Sequence, residues 1–201
     1  MYLVAVLFAA FVCFSCSDDD DNDDVPAEFS GTWKFDKTHF IFDYSEETIT
    51  LPIPGMDPMT PEEVTAKVID LGDENMGKYF TGIRFEKNKK MVILMNINEE
   101  PQELNATYEV KGSNVDVTLN KDEFGKLIGQ ELAIMPAISL QYTTGTGNLT
   151  LYINKAYIQA LLSAVSQLDL GLPAEVKLIL AAVTPILNKT NKLEIGATLK
   201  R

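Results

Sequence analysis

The sequence predicts a mainly β chain with helical additions, an α+β protein built on an antiparallel meander. Three observations carry that expectation. From Glu28 to about Leu119, apolar and polar residues alternate with a period near two, the spacing of strands that bury one face. Gly112-Ser113-Asn114 between two such runs is a short hairpin signal, which joins antiparallel neighbours. The last third changes character, with a long stretch at helical spacing before one more alternating run.

Taken in order, Phe29, Gly31, Trp33 and Phe35 alternate with Ser30, Thr32 and Lys34 as a first strand. Ile49, Leu51 and Ile53 alternate with Thr50 and prolines, and Pro52, Pro54, Pro58 and Pro61 then break the run. Thr60-Pro61-Glu62-Glu63 is a capping box with proline at the first helical position. The helix it opens should turn Val64, Val68 and Leu71 inward and stop at Gly72. Tyr79, Thr81, Ile83 and Phe85 form the next strand, and Met91, Ile93, Met95 and Ile97 the one after. Segments 106–111 and 115–119 flank Gly112-Ser113-Asn114, a hairpin signal. Asn120 with Glu123 caps a second helix, which carries Phe124, Leu127 and Ile128.

Ile138, Leu140 and Tyr142 and then Leu149, Leu151 and Ile153 read as two strands turned around Gly145-Thr146-Gly147-Asn148. A helix follows from about Lys155, with Ile158, Leu161, Leu162, Val165 and Leu168 at helical spacing; Gly171 stops it. Pro173 starts another, which should kink near Pro185. Leu193, Ile195, Ala197 and Leu199 make the last strand, and no internal repeat is visible. Between Ala156 and Leu187 the only charges are Asp169, Glu175 and Lys177, so this hairpin is apolar nearly all round. Such helices are buried, or they dock against a lipid, a membrane or a protein. Neither reaches the ~20 apolar residues that a membrane span requires.

The chain has 201 residues, 46% hydrophobic and 23% charged, an ordinary globular composition. Its charge is uneven. Asp18, Asp19, Asp20, Asp21, Asp23 and Asp24 supply half of the net −12, and no basic face is evident, which argues against a nucleic-acid partner. Tyr2 to Ser15 is uncharged and apolar, too short for a span and suited to the core of a signal peptide. The positive segment that normally precedes such a core is missing, so the natural start is expected upstream. Residues 1–15 read as leader, 16–27 as an acidic tether and 28–201 as one domain.

Both cysteines lie at this junction. Cys13-Phe14-Ser15-Cys16-Ser17 resembles the lipobox of bacterial lipoproteins, where a small residue precedes the acylated cysteine; Ser15 meets that need before Cys16, and Val12 does not before Cys13. A cysteine followed by serine and a dense acidic run is similar to the surface-export signal of lipoproteins from Bacteroides-type bacteria. The resemblance implies lipidation at Cys16 and an outer-membrane location, facing the cell surface. The alternative is a plain charged tether behind an anchor that faces the periplasm. As a calcium loop starting at Asp18 the run fails, because an EF-hand needs Gly sixth and Glu twelfth where this chain has Asp23 and Phe29. With Cys16 acylated the domain keeps no free thiol, which leaves out disulfides, thiolate catalysis and cysteine-ligated zinc.

Phe29-Ser30-Gly31-Thr32-Trp33 resembles the Gly-x-Trp first strand of lipocalin-like barrels. The resemblance implies that Trp33 is structural, packed at the closed end under a basic residue, here Lys200 or Arg201. It also implies a cavity for a small, mostly apolar molecule, lined by side chains such as Tyr79, Phe85, Met91, Tyr108 and Tyr142. Plain core packing is the competing role for each of these five. The family's Thr-Asp-Tyr turn is absent, and an apolar helical hairpin is no part of a standard barrel. A closed barrel and a curved open sheet backed by helices therefore both remain open.

No catalytic constellation is apparent. His39 is the only histidine, has no motif around it and reads as a surface residue; zinc sites with two or three histidines are impossible. Gly145-Thr146-Gly147 lacks a Walker lysine and reads as a turn. Glu62-Glu63 suits a helix start, where the dipole favours acids. The expectation is a non-enzymatic envelope lipoprotein without cofactor or metal, tied to the outer membrane. It binds a small apolar or amphipathic ligand, or serves as an accessory subunit of an outer-membrane uptake or adhesion assembly.

Overall fold

Eight antiparallel strands each lie beside the next in sequence, and the last bonds to the first, so the sheet is a closed barrel. The computed structural model describes residues 25–50, 57–128, 137–167 and 183–201. Cys13, Cys16 and the acidic run lie outside the described residues, as do Leu51, Ile53, Gly171 and Pro173. The strands are β1 (Gly31–Tyr44), β2 (Phe80–Glu86), β3 (Lys90–Ile97), β4 (Glu100–Lys111), β5 (Asn114–Leu119), β6 (Ala137–Gly145), β7 (Asn148–Asn154) and β8 (Thr190–Lys200). Helix α1 (Pro61–Tyr79) joins β1 to β2, α2 (Lys121–Ile128) follows β5, and α3 (Lys155–Gln167) follows β7. Residues 183–188, which include Pro185, are helical as well.

The meander expected from the alternation is present, and its open question resolves to closure: β1 pairs with β8 from Lys34↔Lys200 to Tyr44↔Thr190. Up-and-down closure removes the free sheet edges, save along β1 beyond Lys34, where β2 no longer pairs and α1 covers the strand.

The two ends of the barrel differ. At one end the connections are tight, at 87–89, 112–113 and 146–147, and both the incoming segment 25–30 and Arg201 lie there. At the other end the only tight turn is Asn98-Glu99, where both residues have positive φ, 54° and 67°, as a type I′ hairpin requires. Helices α1, α2 and α3 and the helical residues 183–188 belong to that second, helical end.

Register slips set which residues face inward. The β1–β8 register slips between Phe35 and Lys37, so inward parity changes from Trp33 and Phe35 to Thr38, Phe40 and Phe42. The β2–β3 register slips between Phe80 and Gly82. Gly82 is required here, since a Cβ would run into the Trp33 carbonyl oxygen. Strand β2 thus begins at Phe80, whereas the alternation had placed Tyr79 on it; Tyr79 is the last residue of α1 and 39% exposed.

Helix α1 begins as its capping box dictates: Thr60 Oγ1 accepts from Glu63 N, and the Glu63 carboxylate accepts from Thr60 N at 2.8 Å. It does not stop at Gly72. One internal glycine costs only about 1 kcal/mol of helix propensity, and here it lets the helix lie directly against Thr38. The inward stripe is Val64, Val68, Ile69 and Met76, all half-buried, while Leu71 is 60% exposed rather than inward. Asn120 caps α2 as expected, its Oδ1 accepting from Asp122 N and Glu123 N.

Candidate functional site

The interior is filled at the closed end. Phe29, Phe85, Tyr108 and Tyr142 form an aromatic cluster, with the Phe29 ring centroid 5.0 Å from Phe85 and 4.8 Å from Tyr142. Trp33 packs beside them, donating from Nε1 to the Phe29 carbonyl at 2.9 Å. The Arg201 guanidinium stands 4.5 Å above the Trp33 ring and donates through Nη2 to the Ala27 carbonyl at 3.1 Å. Lys200, the other candidate for that place, points outward and pairs with Asp36.

Four of the five expected lining residues are therefore at this end. Phe85, Met91 and Tyr108 are buried in continuous packing, and the desolvated Tyr108 phenol is shifted upward from its ordinary value. Tyr142 is half-buried and donates its hydroxyl to the Gly112 carbonyl at 3.2 Å. None of these three buried side chains presents surface to a ligand. Tyr79, the fifth, lies outside the interior with Lys78 Nζ 5.5 Å from its ring centroid. The structure does not gather the five into one site.

Following β8 inward side chain by side chain locates a different one. Leu199 has no accessible surface and Ala197 has 7%. Ile195, the next residue on the same face, keeps 36%, and Leu193 beyond it falls back to 7%. The register sets Ile195 between Phe40 on β1 and Ile153 on β7, both half-buried. In a packed barrel an inward isoleucine between two buried neighbours has no access to solvent. Accessible space therefore lies inside the barrel at the level of Ile195.

One wall of that space is an aromatic ladder. The rings of Phe40 and Phe42 stack at 5.9 Å and 27°, and those of Phe42 and Tyr44 at 5.6 Å and 23°. Phe80 on β2 and its register partner Met95 on β3, also half-buried, pack against the filled core instead. Everything named here is apolar except the Tyr44 hydroxyl, so the arrangement suits contact with hydrocarbon or an aromatic ring and offers nothing for acid–base chemistry. The signal that would have found these residues is Phe40-Ile41-Phe42, an alternating run hidden by the change of parity at Asp36.

The outer face carries its own cluster. His39 and Tyr152 flank Gly196 on neighbouring strands, and their rings meet across it at 5.2 Å. His39 Nε2 lies 2.8 Å from Glu194 Oε2, and Lys192 Nζ lies 3.0 Å from the other oxygen. Burial pushes the Glu194 carboxyl up, but the His39 and Lys192 contacts outweigh it and hold the group below its ordinary value. His39 is thus a half-buried, paired side chain, with no hydroxyl or thiol nucleophile bonded to it.

Among the described residues no group of three or more His, Cys, Asp and Glu is placed to hold a metal ion. Among them, too, no helix is long and apolar enough to cross a membrane. No protein-family model, curated protein or solved structure matches this chain.

Proposed function

We propose that this chain is a lipid-anchored protein of the bacterial outer membrane whose barrel holds a small apolar or amphipathic molecule in the helical half of its interior. The observation that carries the ligand reading is the 36% exposure of Ile195, an inward side chain between neighbours at 7%. The aromatic ladder beside it offers low-entropy apolar surface, the usual lining of small-molecule sites. The anchor rests on Ser15-Cys16-Ser17 and the acidic run behind it. Val25 packs against the core at the closed end, nine residues after Cys16, a reach of at most about 30 Å. An anchored barrel accordingly turns its closed end to the membrane and its helical end away.

One experiment tests both halves: native mass spectrometry of the protein extracted in mild detergent from the membranes of the cells that make it. The expected spectrum shows a polypeptide beginning at residue 16 with covalent acyl mass, plus a small adduct that dissociates on collisional activation. An unacylated polypeptide sinks the anchor. An adduct-free spectrum from fresh, undelipidated membranes sinks the ligand.

A further inference from the structure

Deepening the ligand reading above, and resting on it, we propose that the ligand enters sideways through the barrel wall, between β1 and β2, and that α1 is the shutter. The β1–β2 ladder is the shortest in the barrel, four residue pairs from Gly31↔Phe85 to Lys34↔Gly82, against five to ten elsewhere. Beyond Lys34, β1 continues for ten more residues bonded to β8, and among the described residues α1, not a strand, covers its other side. The Asp73 carboxylate accepts from the backbone N–H of Thr38, taking the place a neighbouring strand would occupy.

This cover is held lightly. Helix α1 has no fully buried residue, and its apolar stripe is only half-covered. Gly72 and Gly77 give it a smooth underside, lying against Thr38 and Phe35. Beneath Gly72 the Thr38 hydroxyl is buried without a hydrogen-bond partner, which is unfavourable and is relieved when the helix lifts. Elsewhere, opening the wall breaks a ladder of backbone hydrogen bonds; here, among the described residues, it breaks one hydrogen bond, from Thr38 N to Asp73, together with the half-buried packing of Val64, Val68, Ile69 and Met76. The slot so exposed lies beside Phe40, whose register partner is Ile195.

The test locks the shutter. An ideal Cβ at position 72 stands 3.1 Å from Thr38 Cβ, so an outward shift of a few tenths of an ångström brings the pair to disulfide spacing, about 3.5–4.5 Å. Thr38→Cys with Gly72→Cys is introduced into the full chain carrying Cys13→Ser and Cys16→Ser, and uptake of N-phenylnaphthylamine is followed by fluorescence. The expected result is loss of uptake in the oxidised protein, regained on adding dithiothreitol. Equal uptake in both redox states overturns the side route and leaves the ligand reading standing. No uptake by the unsubstituted chain overturns the ligand reading itself and the side route with it. Should the disulfide not form, Gly72→Ala decides: its methyl would meet Thr38 Oγ1 at 2.5 Å and must push α1 outward, so uptake should quicken. An unchanged rate counts against the shutter.

Discussion

Arg201, the last residue of the chain, ties three separate segments together at the closed end. Its guanidinium covers the Trp33 ring on β1, follows directly from β8, and donates to the Ala27 carbonyl just before the barrel begins. Arginine suits this place because one planar group can stack and donate at once, whereas an ammonium on a flexible stem does only one of these well. Arg201→Ala should lower stability by about 1–2 kcal/mol, through a cation–π contact and a charged hydrogen bond at an exposed site. Arg201→Lys should recover part of it. Urea unfolding at unchanged slope measures both; an alanine midpoint equal to the parent's means that Arg201 is ornamental. At this scale the sequence was readable where one residue carries a strong local signature, as Gly31-Thr32-Trp33 does. It was not readable for Phe85, Met91 and Tyr108, because an inward side chain in a filled layer and one in an open layer obey the same alternation.

Elements were legible in kind and less so in phase. The alternation and the turns located every described strand, since a buried face imposes period two wherever it occurs. Register slips then shifted the phase, at Asp36 and before Gly82, and a slip of one residue exchanges inside for outside. That is why Tyr79 was placed on a strand and why Phe40 and Phe42 passed unnoticed. Gly72 misled for a related reason: a glycine chosen for close approach to Thr38 looks in sequence like a helix stop. Helix α2 shows a sequence signal with a second use. Glu123, read as part of a cap, instead reaches across to β4, accepting from Asn105 N at 2.8 Å and Asn105 Nδ2 at 2.9 Å. These bonds hold its carboxyl below the ordinary 4.5. A carboxyl lowered in the folded state contributes stability that is present above about 4.5 and is lost as pH falls through the folded value. Glu123→Gln should therefore lose stability near neutrality and show a shallower decline into acid than the parent. Parallel declines in urea midpoint would exclude the contact as a source of acid sensitivity.

Across the whole molecule the barrel is closely packed at its closed end and leaves one inward level, that of Ile195, accessible. Closed-end side chains such as Leu199 and Leu149 have no exposed surface and sit among aromatic rings tied by Arg201. Ile195, the next inward residue after Ala197, is only partly covered, and surface left uncovered inside a barrel forgoes stabilisation of roughly 25 cal/mol per Å². A loss at one level, between layers that are closely packed, is what the proposed ligand site would require. The two levels should then respond oppositely to substitution. Leu199→Ala removes methyl groups from a filled layer and should cost about 2–5 kcal/mol, read from urea unfolding, while leaving N-phenylnaphthylamine uptake intact below the unfolding transition. Ile195→Trp adds an indole where accessible space exists, so it should change stability by less than about 1 kcal/mol and abolish uptake. If the tryptophan instead destabilises as severely as the alanine, the level of Ile195 is as tightly filled as the closed end, and the interior has no room for a ligand.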